Sequence, residues 1–434
     1  MAIIEEIAGD EDQQDSSLRT GNNIQSLMEA LRIPEEWARQ EWETDEATVM
    51  SLALWKVKAA NILLQLKSMP LDNLANKPVF IMAVAAFDGD DKFSSPECPP
   101  LSKAALERFK PYVNSDIVRE VLLEGIKPLF QYNPHNRVNL STGRILPRPA
   151  GGLSATQDMF EDQQWKTKGI GSWNVLRWCI RQLPAEDFES VWPLVVPPLM
   201  TLVDDFDPPF KIRGIDISHD LLQKLDASLL KRTGLDTLLS ASYSGALTFQ
   251  KSPETPRILT TTVPAFLSLI EKTSQPESEE CFERTCGLLV AAVISGAWTY
   301  GGNEPLTMEA SVQVLPQLIR ALGLGSARFL KALVPQLSDM LVTKPALKPN
   351  PRIQILSANS LSTLMRVCQP RIGFWKYRIL DPLLRSWVQL KEQSSVSQLD
   401  AELLQAALQE LAHAFMHAVP SLTRVCKQRI TSSL

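Results

Sequence analysis

His413 and His417 lie four residues apart in the stretch HAFMH, so on a helix both imidazoles would face one way. A zinc site there needs a third ligand, and the glutamate of the metalloprotease helix motif is missing. Two half-exposed helix histidines are the simpler account, and His135 and His219 offer no closer company in the sequence. Gly169-Ile170-Gly171 and Gly323-Leu324-Gly325 lack the third glycine and preceding strand of a dinucleotide loop. Gly323–Gly325 reads instead as a helix stop before Ser326. Neither G-K-[ST] nor G-x-S-x-G occurs. Cys281 and Cys286 sit in apolar helical context, as buried structural thiols do. Asp204 and Asp205 are adjacent and point to different sides, so helix capping accounts for them better than a paired-carboxylate acid and base. No catalytic residue, cofactor or metal is assigned.

The elements that would have to position any such group read as helices. In residues 46–68, Leu52, Trp55, Ala59, Ile62, Leu63 and Leu66 recur at spacings of three and four, which marks one helix face. From Trp165 onward the pattern is monotonous. Helices are expected near 171–183, 187–203, 209–230, 235–247, 257–272, 280–298, 308–322, 326–342, 352–367, 372–390, 399–415 and 419–430. Short breaks, often with Pro or Gly, separate them, and no period-two run is long enough for a strand. Residues 1–30 form an acidic, weakly ordered tail, 31–130 an N-terminal helical region, 131–164 a Pro/Gly-rich loop or linker, and 165–434 a helical array. Residues 86–102 read as a charged, Pro-rich loop.

Composition agrees. Among 434 residues there are 61 leucines, 30 prolines, only 19 glycines and 5 tyrosines, a balance that suits many short helices better than a large sheet. The net charge of −5 offers no global basic field, so nucleic acid and anionic membrane are not expected partners. Six scattered cysteines without a C-x-x-C fit reduced thiols. The start is acidic within six residues, unlike a secretory signal, and the longest apolar stretch, near Leu288–Trp298, falls short of the roughly 20 residues of a membrane helix. A cytoplasmic and nuclear protein is expected.

Residues 199–214, LMTLVDDFDPPFKIRG, are more specific. Leu199, Leu202 and Val203 close one helix, Asp205 follows, then Asp-Pro-Pro, Lys211 and Gly214. This fits the HEAT-repeat turn. Asp205 is expected to cap a helix starting near Pro208 or Pro209, Lys211 to pair with a nearby Asp, and Gly214 to let two helices approach closely. In the C-terminal third, Arg371, Trp375, Arg378 and Arg385 mix a large aromatic with bases, as interface hot spots do. Trp375 and Trp387 also suit anchors of a repeat core.

With these stretches the chain resembles the Tel-two-interacting protein two family, the smallest subunit of the Triple-T complex. The matching blocks are SWNVLRWCI (172–180), VWPLVVPPLMTLVDDFDPPFKIRG (191–214), LLKRTGL (229–235), GAWTYGG (296–302), LGLGSARFLKALVPQLSDML (322–341) and CQPRIGFWKYRILDPLLRSW (368–387). The first 130 residues carry little of it. The resemblance implies an all-α, HEAT-like α-solenoid of antiparallel helix pairs without catalytic residues. It also implies a co-chaperone scaffold that works with two larger helical subunits, and with the ninety-kilodalton heat-shock chaperone machinery indirectly, in the maturation of phosphatidylinositol 3-kinase-related kinases. A HEAT-type transport adaptor is the competing reading, and an enzyme with an unrecognised site the third.

Overall fold

Apolar residues repeating every three or four positions become helices almost everywhere in the computed structural model, which describes residues 24–38, 46–69, 76–132, 134–149, 163–301, 304–343, 349–392 and 397–420. Among these residues there is no strand. An isolated antiparallel bridge joins Val138 and Ile145. The chain divides into two units, Met1–Leu238 and Leu239–Leu434.

In the first unit, α1 (Glu46–Ser68) packs on α3 (Cys98–Phe109), and α2 (Lys77–Ala85) packs on α3 as well. Then come α4 (Ser115–Glu120), a π-helical segment Val121–Ile126, and α5 (Lys127–Phe130). Next are α6 (Ser172–Gln182), α7 (Phe188–Val203), α8 (Pro208–Lys224) and α9 (Ala227–Thr233). The tight connection from Val203 to Pro208 folds α7 and α8 back on each other as an antiparallel pair. The helix expected over 209–230 is broken at Leu225-Asp226, where the backbone turns extended.

α10 (Leu235–Ala246) is followed by a second unit with the two-row build of a HEAT-like α-solenoid. One row holds α11 (Thr255–Thr273), α13 (Pro305–Leu322), α15 (Pro351–Val367) and α17 (Gln398–Ala418), each packed on the next. The other holds α12 (Glu279–Leu289), α14 (Leu330–Leu341) and α16 (Lys376–Glu392), which pack back on the first row. Several prolines lie inside helices, within the ranges expected from the sequence: Pro193, Pro197 and Pro198 in α7, Pro264 in α11, Pro316 in α13, Pro335 in α14 and Pro382 in α16. Each removes one backbone donor without ending its helix, because burial of the flanking apolar residues outweighs the loss.

Three expectations change. Residues 24–30, expected to belong to the acidic tail over 1–30, are helical and bury Ile24 and Met28, with Leu31 one turn on. Residues 1–23 and most of the expected helix 419–430 lie outside the described residues. Residues 134–149 are bonded into the first unit: Ile145 N–H donates to Thr233 O at 3.1 Å, and Trp192 Nε1 donates to Gly143 O at 3.1 Å. Finally, two helical stretches, Glu46–Ser68 and Glu279–Tyr300, are long and apolar enough to cross a membrane by length and composition alone. Their apolar runs were underestimated because isolated polar residues interrupt them. Both bury a face inside the fold: Trp55, Ile62 and Leu66 in the first, Leu288, Leu289 and Val293 in the second.

A Cβ on Gly214 would lie 2.4 Å from Val203 N and 2.6 Å from Leu202 C, both backbone atoms of α7. Backbone cannot rotate away, so the α7–α8 pair must separate. Gly214→Ala gains up to about 1 kcal/mol of helix propensity, but overpacking costs about 1–3 kcal/mol, and a net loss is expected in denaturant unfolding. Gly287, a helical glycine with open space around it, is the control: Gly287→Ala should hold or raise stability.

Candidate functional site

The HEAT-like turn forms in the first unit. Asp207, not Asp205, occupies the N-cap position of α8 and makes no side-chain capping bond, while Pro208 and Pro209 fill the first helical positions. Asp205 acts one step earlier. Its Oδ1 accepts the Asp207 N–H at 2.8 Å, and its carboxylate, almost fully buried, lies 2.8 Å from Lys166 Nζ. That ammonium also sits over the rings of Trp165, Phe206 and Phe210, at 5.0, 4.8 and 4.7 Å. Asp204 lies 2.8 Å from the buried His135 Nε2. Lys211, expected to pair with an Asp, reaches the last turn of α7, where Nζ donates to Val203 O at 3.0 Å. Burial pushes the Lys211 ammonium below the ordinary lysine range, against the opposing charges of Asp204 and Asp205.

Behind the turn lies a network that short-range sequence spacing does not reveal. Asp91, 4% exposed, accepts from Asn174 Nδ2 at 2.7 Å, from Trp173 Nε1 at 3.2 Å, and from Arg213 Nη2. Asn174 Nδ2 also donates to Ala86 O at 2.8 Å. Arg213 stacks over Trp173 at 5.0 Å and Phe210 at 5.5 Å. The charged stretch 86–102 is therefore an anchor rather than a free loop. Its glycine and aspartates are the only local signal: Gly89 leaves room for Asn174, whose Oδ1 would lie 2.5 Å from an added Cβ.

In the second unit, Arg371 precedes a 3-10 turn, Gly373–Trp375, that Trp375 closes, and Arg378 and Arg385 lie on α16. Arg371, Arg378 and Arg385 are exposed and Trp375 is half-buried. Arg378 pairs with Asp339 of α14 at 2.9 Å and Arg385 with Asp381 at 3.6 Å. Among the described residues of the second unit the most exposed aromatics are two others: Phe374 at 88% and Tyr377 at 66%. Lys376 Nζ lies over the Tyr377 ring at 5.0 Å.

The residues weighed for chemistry stay apart. His413 and His417 are exposed on one face of α17, and no group of three or more metal-ligating side chains occurs among the described residues. Burial raises the thiol pKa of Cys368 to about 11, and shifts Cys179 and Cys286 upward too. A cavity of about 440 Å³ in the first unit is walled mainly by apolar groups, among them Met28, Ile33, Val79, Met82 and Ile170.

Asp205→Ala breaks a buried ion pair, a loss on the order of 3 kcal/mol, whereas Asp207→Ala should cost less than about 1 kcal/mol; equal melting midpoints would contradict the assignment. Asp220 supplies a pH test. Burial alone would raise its carboxyl pKa, but Arg177 at 2.7 Å and Arg181 at 2.8 Å outweigh that and hold it below the usual range. Its contribution is present above the unfolded value near about 4 and is lost as pH falls through the lower folded value. Asp220→Asn should lower the midpoint at pH 7 and flatten the acid limb of the stability curve.

Comparison with known proteins follows the fold. Importin beta, in a crystal structure from a polyethylene glycol condition, is 13% identical with a TM-score of 0.47, covering 99% of this chain and 53% of that one. The chain thus spans about half the length of importin beta. An engineered protein is 12% identical with a TM-score of 0.36, covering 94% and 88%. Both scores fall below 0.5, so assignment rests on the family match. That match covers residues 80–348, reaching further toward the N-terminus than the sequence blocks suggest and stopping before the 368–387 block. The chain belongs to the Tti2 family.

Proposed function

We propose that this chain is a non-catalytic scaffold subunit of a co-chaperone complex that promotes maturation and stability of phosphatidylinositol 3-kinase-related kinases. It acts beside two larger helical subunits and, indirectly, the ninety-kilodalton heat-shock chaperone machinery, in cytoplasm and nucleus. The observation that carries this reading is the family match over residues 80–348. The surface supports it: polar side chains around the turn are spent on holding helices together, whereas Phe374 and Tyr377, with Arg371 and Arg378 beside them, are exposed. Exposed aromatics among arginines are what a docking surface of a scaffold requires.

The full chain, mixed with the two larger subunits, should assemble. Phe374→Ala with Tyr377→Ala should keep the melting midpoint and weaken assembly about thirtyfold, as expected for removing an anchor worth 2 kcal/mol or more. Wild-type assembly strength in the double variant would move the interface away from α16.

A further inference from the structure

α1 is apolar on two opposite faces. Trp55, Ala59, Ile62, Leu63 and Leu66 are buried, and the helix packs on α3. On the other side Met50, Leu54, Val57 and Leu64 are 68%, 69%, 61% and 53% exposed. At 3.6 residues per turn these four fall within an arc of about 80°. They form a ridge running roughly 21 Å along the helix, at 1.5 Å per residue. Single exposed apolar residues are ordinary, but four aligned along one helix face mark an interaction surface. The ridge is bordered by Lys58 on one edge and Lys67 on the other, and the only acid of α1 is Glu46 in its first turn.

We propose that this ridge docks an amphipathic helix with acidic flanks, contributed by one of the two larger helical subunits; the inference rests on the function proposed above. The anchor spacing of four and three residues is that of helix-to-helix recognition. The lysine borders select the charge of the occupant. A membrane is the poorer fit, because the opposite face is packed against protein, the ridge is narrow, and Asn61 interrupts it.

The test uses the full chain reconstituted with the two larger subunits. A photo-crosslinking residue placed at Leu54, and separately at Leu64, should join to apolar positions spaced three and four apart on an acidic helix of a larger subunit. Leu54→Glu with Leu64→Glu should weaken assembly at least about tenfold, and Leu54→Lys with Leu64→Lys should weaken it less, because lysine keeps the attraction to acidic flanks. Cross-links to residues 1–23 of the same chain or to a second copy would overturn the proposal. So would assembly that is indifferent to the glutamate pair, or loss only of binding to anionic lipid vesicles. If the wild-type chain fails to assemble at all, the function proposed above falls, and this inference with it.

Discussion

The first unit depends on a carboxylate kept away from water. Asp91 sits among Phe93, Trp173 and the stacked Arg213, where an unpaired charge would cost several kcal/mol. It is tolerated because Arg213, Asn174 and the Trp173 indole all donate to it. Those donors lie on α6 and α8, and Asn174 also holds the Ala86 carbonyl at the end of α2. One acid thus fixes the relation of three helices. The aromatic groups that Arg213 and Lys166 cover, Trp173, Trp165 and Phe210, pack on one another at 4.9–6.5 Å and continue that order to the turn at Asp205.

The same economy runs through other polar residues of the described chain. Arg177 and Arg181 are held by Asp220, Asn350 Nδ2 donates to Glu309 Oε1 at 2.7 Å, and Gln354 Nε2 donates to Leu341 O at 2.7 Å. Each ties one helix to another. Prolines lie inside helices of the second unit, and serines and threonines return hydrogen bonds to preceding carbonyls, as Ser362 does to Ala358.

Helices α6, α7 and α15 are legible in the sequence within a residue or two, because their apolar spacing is unbroken. Gly214 is legible as a close approach because a small residue follows a capped turn at fixed distance. The capping role is misplaced by two residues: three aspartates in four positions are equivalent on paper, and only Lys166, 39 residues away, singles out Asp205. Asp91 is illegible for a stronger version of the same reason, since its partners lie 82 to 122 residues off. Phe374 and Tyr377 escape notice because the 3-10 turn at Gly373–Trp375 shifts the helical phase that an unbroken α-helix would give.

The proposed function has the chain act by holding other proteins rather than by chemistry of its own. The most direct measurement is the lifetime of newly made phosphatidylinositol 3-kinase-related kinases, followed by pulse labelling in cells after this chain is removed. Without the chain, young kinase should decay faster while mature kinase persists, and the wild-type chain should restore the lifetime. Unchanged decay of newly made kinase in the chain's absence would contradict it.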